Sequence, residues 1–376
     1  MRRSGAEPPP VTSALRRAPK WGCTVLVILT GWVAAAPADL RQASQSTLAA
    51  QIAALSESGG YFDTDNLISN ERSYLHVLPA LQRANVRGGA YIGVGPDQNF
   101  SYIAAIRPSI AIIVDIRRDN LLLHLLFKSL FAESRTRVEF LALLFGRPVP
   151  DSPVWEKRSI QELAKYVDDA KPLDRAATET RRTRITARLK SFGIPLASED
   201  LQTVDRFHRR FTDAGLGLQF ESTGRPPQVY NPTYRDLLLE TDGSGRAGHY
   251  LATEDGFQFL KTLEARDLLI PVVGDFAGPK ALASVGRLLK ERNERVSAFY
   301  ASNVEFYLFR NGTFPRFVAN LGLLPRSTGA VMIRSVFSGG RPMPGYASAS
   351  LTQPLAELLD GYAQGRFRQY FELTGR

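Results

Sequence analysis

The stretch AYIGVGPDQNFSYIAAIRPSIAIIVDIRRDN, residues 90–120, decides the fold. Ala90–Val94 is a short apolar run that stops at Gly95-Pro96, the pattern of a buried strand running into a turn. Ser101–Ile106 has helical character and ends before Pro108. Ile110–Ile116 (IAIIVDI) is the most strand-like stretch of the chain, β-branched and apolar up to an acid. Strand, glycine turn, helix and a second strand ending in Asp form the opening of an open α/β sheet. Within Gly93-Val94-Gly95-Pro96-Asp97, glycine lets the chain turn sharply and lets a ligand approach the backbone. Asp115, about twenty residues further on, stands where an acid can accept both ribose hydroxyls of a nucleoside. The third glycine of the dinucleotide fingerprint is missing, and Gln98 holds its place. That argues against a pyrophosphate on the helix N-terminus and against a nicotinamide oxidoreductase. The competing reading is two structural glycines in a tight turn and an Asp that caps the next helix.

Outward from this core the pattern continues on both sides. Asp119-Asn120 can cap a long helix over 121–145, with a break near 133–136. Upstream, residues 41–56 and 70–84 have helical spacing, the second with Pro79 inside it. Residues 147–250 are more charged, helical over 160–167, 178–190 and 200–211 and loop-like elsewhere. Arg181, Arg182, Arg184, Arg188 and Lys190 there read as a solvated basic helix face. The α/β alternation then resumes with a helix over 257–263, a strand over 268–273, a helix over 279–292 and strands over 295–300 and 330–336. A late helix is expected over 351–362. The expected architecture is one α/β domain in two parts, 39–146 and 251–376, split by a mainly helical insertion over 147–250.

Other residues of the same edge carry candidate chemistry. Asp275 follows the strand over 268–273, and open sheets bind ligands at the carboxyl ends of their strands. It can share a crevice with Asp115 and accept from an adenine amino group, or cap the helix that begins near Pro279. Asn303 and Glu305 end the next strand and would orient a polar substrate group, and Asn66, Asn70 and Glu71 can close over a ligand. His76, His124, His208 and His249 have no metal-ligand spacing, and His124 reads as a core residue. Thr241–Gly245 is not a nucleophile elbow, and Asn231-Pro232-Thr233-Tyr234 does not end a strand.

Composition narrows the classes further. The chain has 376 residues and a formal charge of +10, but residues 1–20 hold five of the bases and one acid. Without them 42 bases face 36 acids, a balance of +6 that is no strong signal for nucleic acid. The single cysteine, Cys23, lies in the uncharged run between Lys20 and Asp39. A chain processed after that run has no thiol, which excludes cysteine nucleophiles, Cys-ligated metals and intrachain disulfides. The basic leader, the apolar run and Ala36-Pro37-Ala38 have the three parts of a secretory signal over 1–38. The expectation is an exported, periplasmic or secreted protein. The alternative is an inner-membrane protein anchored by residues 21–38, with its membrane proximity confined to that segment.

The order of these elements resembles the class I S-adenosylmethionine-dependent methyltransferase fold over roughly 90–135 and 255–340. The resemblance implies an open, mostly parallel, Rossmann-like sheet of methyltransferase type. It implies S-adenosylmethionine as cofactor, held by Gly93, Gly95, Asp97, Asp115 and Asp275, and puts Ser302-Asn303 at the end of the fourth strand, where substrate-facing residues occur; Asn303 and Glu305 are the expected catalytic residues, positioning the acceptor. The acceptor is not named by it. The chain is also similar to an uncharacterised bacterial family through YFDTDNLISNE (61–71), YIGVGPDQNFSYI (91–103), VDIRRDN (114–120), PVVGDFAGPK (271–280) and FYASNVE (299–305). The long insertion departs from the methyltransferase pattern, and S-adenosylmethionine is made in the cytosol. An exported chain with this fold therefore carries a second expectation: a non-catalytic or repurposed site for another nucleoside, an envelope component or a protein partner.

Overall fold

In the computed structural model, which describes residues 47–374 except 65, 151–152, 224, 227 and 338–341, the five parallel strands fall close to where the apolar runs place them. β1 (Ala90–Gly93), β2 (Ile110–Asp115), β3 (Leu269–Val273), β4 (Val296–Ser302), β5 (Arg326–Val336) and β6 (Ala349–Pro354) form one open sheet in the order β3-β2-β1-β4-β5-β6. The first five strands are parallel, and β6 is antiparallel to β5. β1 and β2 are buried along their whole length, as strands covered on both faces must be, and their sequences are accordingly continuous apolar runs. The chain winds outward from β1 in one direction through β2 and β3 and in the other through β4 and β5. The point of reversal, between β1 and β4, is where a sheet of this kind opens a crevice at its carboxyl edge.

The helices follow in chain order. α1 (Leu48–Leu55), a 3-10 turn (Arg72–Val77) and α2 (Leu78–Arg83) precede β1, and α3 (Gln98–Ile106) joins β1 to β2. The continuous helix expected over 70–84 is thus two pieces. Pro79 sits in the first turn of α2, where its missing N–H costs nothing. After β2 come α4 (Arg118–Glu133) and α5 (Arg137–Leu144), separated at the expected break, then α6 (Ile160–Asp169), α7 (Arg175–Ser191), α8 (Ser198–Ala214), α9 (Tyr234–Leu239) and α10 (Glu254–Ala265). α11 (Ala281–Glu291) links β3 to β4; α12 (Val304–Arg310) and α13 (Phe314–Leu323) link β4 to β5. α14 (Leu355–Ala363) and α15 (Tyr370–Leu373) close the chain. An aromatic cluster of Phe100, Phe131, Phe140, Tyr250 and Phe257 joins α3, α4, α5 and α10. Its contacting ring centroids lie 4.6–6.5 Å apart.

Three further expectations are corrected. The first part of the late helix, Leu351–Pro354, is the end of strand β6, its small and polar residues suiting a half-exposed edge, and Pro354 ends the strand before α14 begins. Asp119 and Asn120 do not cap α4: Arg117 is the N-cap residue, and Asp119 lies within the first turn. The basic residues of α7 are not a free solvated face. Arg184 and Arg188 both pair with Glu133 of α4, Arg182 pairs with Asp205 of α8, and Arg181 donates to the carbonyls of Ala142 and Arg147. Among the described residues no helix is long and apolar enough to cross a membrane. The leader over 1–38 lies outside the described residues.

Candidate functional site

The carboxyl edge is built from the ends of β1 to β5 and from a strap, residues 56–64 and 66–71, that crosses them. The strap is tied to β3 by Glu57 N–H donating to Val273 O (2.9 Å) and to the end of β2 by Gly60 N–H donating to Ile116 O (2.7 Å). Its far end delivers Glu71 to the ends of β4 and β5, where Tyr300 and Ser335 donate to its carboxyl.

The glycine turn after β1 is held from within. A Cβ on Gly93 would lie 1.9 Å from Asn99 Oδ1, so only glycine fits. Asn99 accepts from the Tyr91 hydroxyl (2.8 Å) and donates to the carbonyls of Val94 (2.9 Å) and Pro96 (2.8 Å). Gly95 has φ +84°, a left-handed conformation that other residues rarely adopt, and its carbonyl accepts from His124 Nε2 (2.9 Å). That bond makes Nδ1 the bare nitrogen of a neutral ring; Nδ1 is buried without a partner, and burial lowers the histidine to about 4. Asp97 turns into the interior. It is 3% exposed, and its Oδ2 accepts from Tyr234 of α9 (2.8 Å) and from Tyr250 (3.3 Å). Burial pushes it up to about 6, against the opposing effect of the two hydroxyls.

Asp115 and Asp275 stand at the ends of adjacent parallel strands: Asp115 is in register with Val273, two residues before Asp275, and Gly274 N–H donates to Asp115 O at 2.8 Å. The Asp115 carboxylate is already engaged. Oδ1 accepts from the backbone N–H (2.9 Å) and Nε (3.1 Å) of Arg117, and Oδ2 from Arg117 Nη2 (2.8 Å). The same guanidinium reaches the strap, donating to Thr64 O (3.2 Å); with the Asn66 amide assigned by its neighbours, its oxygen accepts from Arg117 Nη2 (3.1 Å) and its nitrogen donates to Ile68 O (3.3 Å). Asp275 Oδ1 accepts from Ala277 N–H (2.8 Å), closing a local turn. The start of α11 is capped instead by Glu57 of the strap, which accepts from Lys280 N–H (2.8 Å) and Ala281 N–H (3.2 Å).

At β4 the sequence expectation fails for one residue. Glu305 does not end the strand; it lies in the first turn of α12, fully buried, in a bidentate pair with Arg334 of β5 (2.6 and 3.2 Å). A buried acid matched to a buried base is a structural joint between α12 and β5. Asn303 is half-buried at the turn, its Oδ1 3.4 Å from Ser302 Oγ. Ser302, the last residue of β4, has φ +52° and donates to Glu71 Oε1. Tyr300 donates to Glu71 Oε2 (2.5 Å), as does Ser335 (2.5 Å), and Gln98 Nε2 donates to the Tyr300 oxygen (3.1 Å). The sequence names Glu71 as able to close over a ligand, and the methyltransferase resemblance puts Ser302-Asn303 at the substrate-facing end of the fourth strand, but nothing in the sequence points to Ser335. Among the described residues no group of His, Cys, Asp and Glu has the arrangement of a metal site.

A family model described as a domain of unknown function (DUF7790) matches residues 66–213 and 219–364, nearly the whole of the sheet and its helices. The chain belongs to that family. No curated protein matches it. The membership ties the glycine turn, the strap's far end and the helices of 147–250 into one family domain, and it names no reaction.

Proposed function

We propose that the carboxyl edge of this sheet is a nucleoside site and that the protein is an S-adenosylmethionine-dependent methyltransferase of the open α/β type, with an acceptor still to be identified. The observation that carries the reading is positional: the G-x-G turn, Asp115 and Asp275 stand at the carboxyl ends of three adjacent parallel strands, beside the point where the winding reverses. Gly95 would face the cofactor's backbone-contacting part, Asp115 its ribose and Asp275 its adenine. The group, when bound, supplies an activated methyl. The chain's part is to orient the two reactants in line, which needs placement more than strong acid–base groups. The residues fit by place and chemical type. Arg117 must release Asp115 before that carboxylate can accept two hydroxyls, because both oxygens are taken. Asp97 and Glu305 contribute through packing, not through contact.

The Asp115–Arg117 pair also favours a second reading, in which the edge is closed on itself and serves an exported protein that binds another nucleoside, an envelope component or a protein partner. Residues 1–38, read as an export signal, point the same way. Isothermal titration of the full chain with S-adenosylmethionine and S-adenosylhomocysteine separates the two. Micromolar binding that is lost in a folded Asp115→Asn variant supports the first. A folded protein that takes up neither compound contradicts it and leaves the second.

A further inference from the structure

The reversal point between β1 and β4 carries a polar centre of a different kind from the Arg117-paired Asp115 of β2. Glu71 is buried, and its carboxyl is met by three hydroxyls, from Tyr300, Ser302 and Ser335. Among the described residues no Lys or Arg pairs with it. Burial raises its pKa above the ordinary carboxylate range, against the opposing effect of the hydroxyls. Tyr91, Tyr102 and Tyr300, the titratable groups that feel its charge, are themselves pushed well above 10 by burial and stay neutral. Arg334, beside Ser335 on β5, is matched by Glu305. Glu71 is therefore the group in this cluster whose charge can change.

Ser302 differs from the other two donors. It is half-buried, not buried, and it holds its hydroxyl against Glu71 from a left-handed backbone that serine seldom adopts. A buried carboxylate thus has a hydroxyl that reaches toward the edge. Gln98 adds a second, independent sign. The Tyr300 proton goes to Glu71, so its oxygen must accept, and this fixes Gln98 with Nε2 toward Tyr300. Gln98 Oε1 is then a buried acceptor with no partner. Such an atom calls for an O–H or N–H donor from outside the chain's own side chains.

We propose that Ser302 is a catalytic residue and Glu71 the positioning residue that takes its proton, making this point an acid–base centre for a substrate with a reactive O–H or N–H group. The substrate proton passes to Ser302 Oγ as the Ser302 proton passes to Glu71 Oε1. The electron pair of the broken O–H or N–H bond stays on the substrate, and the carboxyl ends neutral, the form that burial favours. The centre needs no particular cofactor and so goes beyond the reading above.

The test is reaction of the full-length protein with phenylmethanesulfonyl fluoride, followed by peptide mass mapping. Attack forms an Oγ–S bond at Ser302 and breaks S–F; fluoride leaves, and the serine proton goes to Glu71. Ser302 should be modified at least tenfold faster than in the urea-unfolded chain, at a rate that rises with pH as Glu71 ionises. Glu71→Gln, checked for an unchanged melting transition, should slow the reaction at least tenfold. Should that variant not fold, Ser335→Ala decides: losing a hydroxyl that lowers the Glu71 pKa should move the pH profile upward. Modification no faster than in the unfolded chain, or a profile that neither substitution moves, overturns the proposal. The assay contains no S-adenosylmethionine, so its failure and the failure of the methyltransferase reading are separate results.

Discussion

Two buried carboxylates of the sheet edge, Asp115 and Glu71, are held in opposite ways. On the β2 side Asp115 is matched by the Arg117 guanidinium. On the β4–β5 side Glu71 has hydroxyls alone, although Arg334 stands next to Ser335 and is given over to Glu305. Burial of an ion pair makes each partner dependent on the other, since removing one leaves a charge that water no longer solvates. Burial of a carboxylate among hydroxyls leaves it able to become neutral without stranding an opposite charge. The first arrangement suits a joint, the second a group that exchanges protons.

The sharpest way to break this contrast is at the joint. Glu305→Ala strands the Arg334 guanidinium, 2% exposed, and should cost about 3–5 kcal/mol in urea unfolding. A loss below 1 kcal/mol would mean that the pair is not a joint. Asp115→Asn keeps one acceptor for Arg117 but removes the charge, and roughly 2–3 kcal/mol should be lost. The glycine turn provides a pH test. Asp97 binds its proton more tightly folded (about 6) than unfolded (3.8), so its contribution to stability falls as pH rises through that window. His124 has the opposite sign: with a folded value near 4 against 6.5, it adds stability as pH rises from 4 to 6.5. Asp97→Asn removes the falling part, so the stability difference between pH 6.5 and pH 4.5 should increase by about 2 kcal/mol over the wild type. The smallest expected effect is at the hydroxyl-bound acid. Glu71→Gln should cost no more than about 1 kcal/mol at pH 7, because the amide relieves the burial of charge and strands no cation. A loss as large as that of Asp115→Asn would erase the distinction between the two carboxylates.

The sequence made the sheet legible because fully buried parallel strands are continuous apolar runs, and Ile110–Asp115 and Leu269–Val273 announce themselves. Strand β6 was read as helix because an edge strand of Ser, Leu, Thr and Gln has no such run and leads straight into α14. The site residues at strand ends, Asp115 and Asp275, follow from register with the strands. The residues that close around them do not. Glu57 caps a helix more than two hundred positions away. Asn99 explains Gly93 through a contact that no spacing rule contains. Glu305 was placed at a strand end because an Asn-Val-Glu run after an aromatic strand does not reveal that a helix begins at Val304. Ser302 is legible as part of a strand end, but its contact with Glu71 is not, since its left-handed backbone belongs to the turn into α12.

The central claim, that the carboxyl edge is the ligand site, is tested most directly by hydrogen–deuterium exchange of the full chain with and without S-adenosylhomocysteine. The account predicts slower exchange confined to the backbone amides of 93–99, 115–118 and 274–277 and of the strap over 57–71. Protection elsewhere, or an unchanged pattern at saturating ligand, would contradict it.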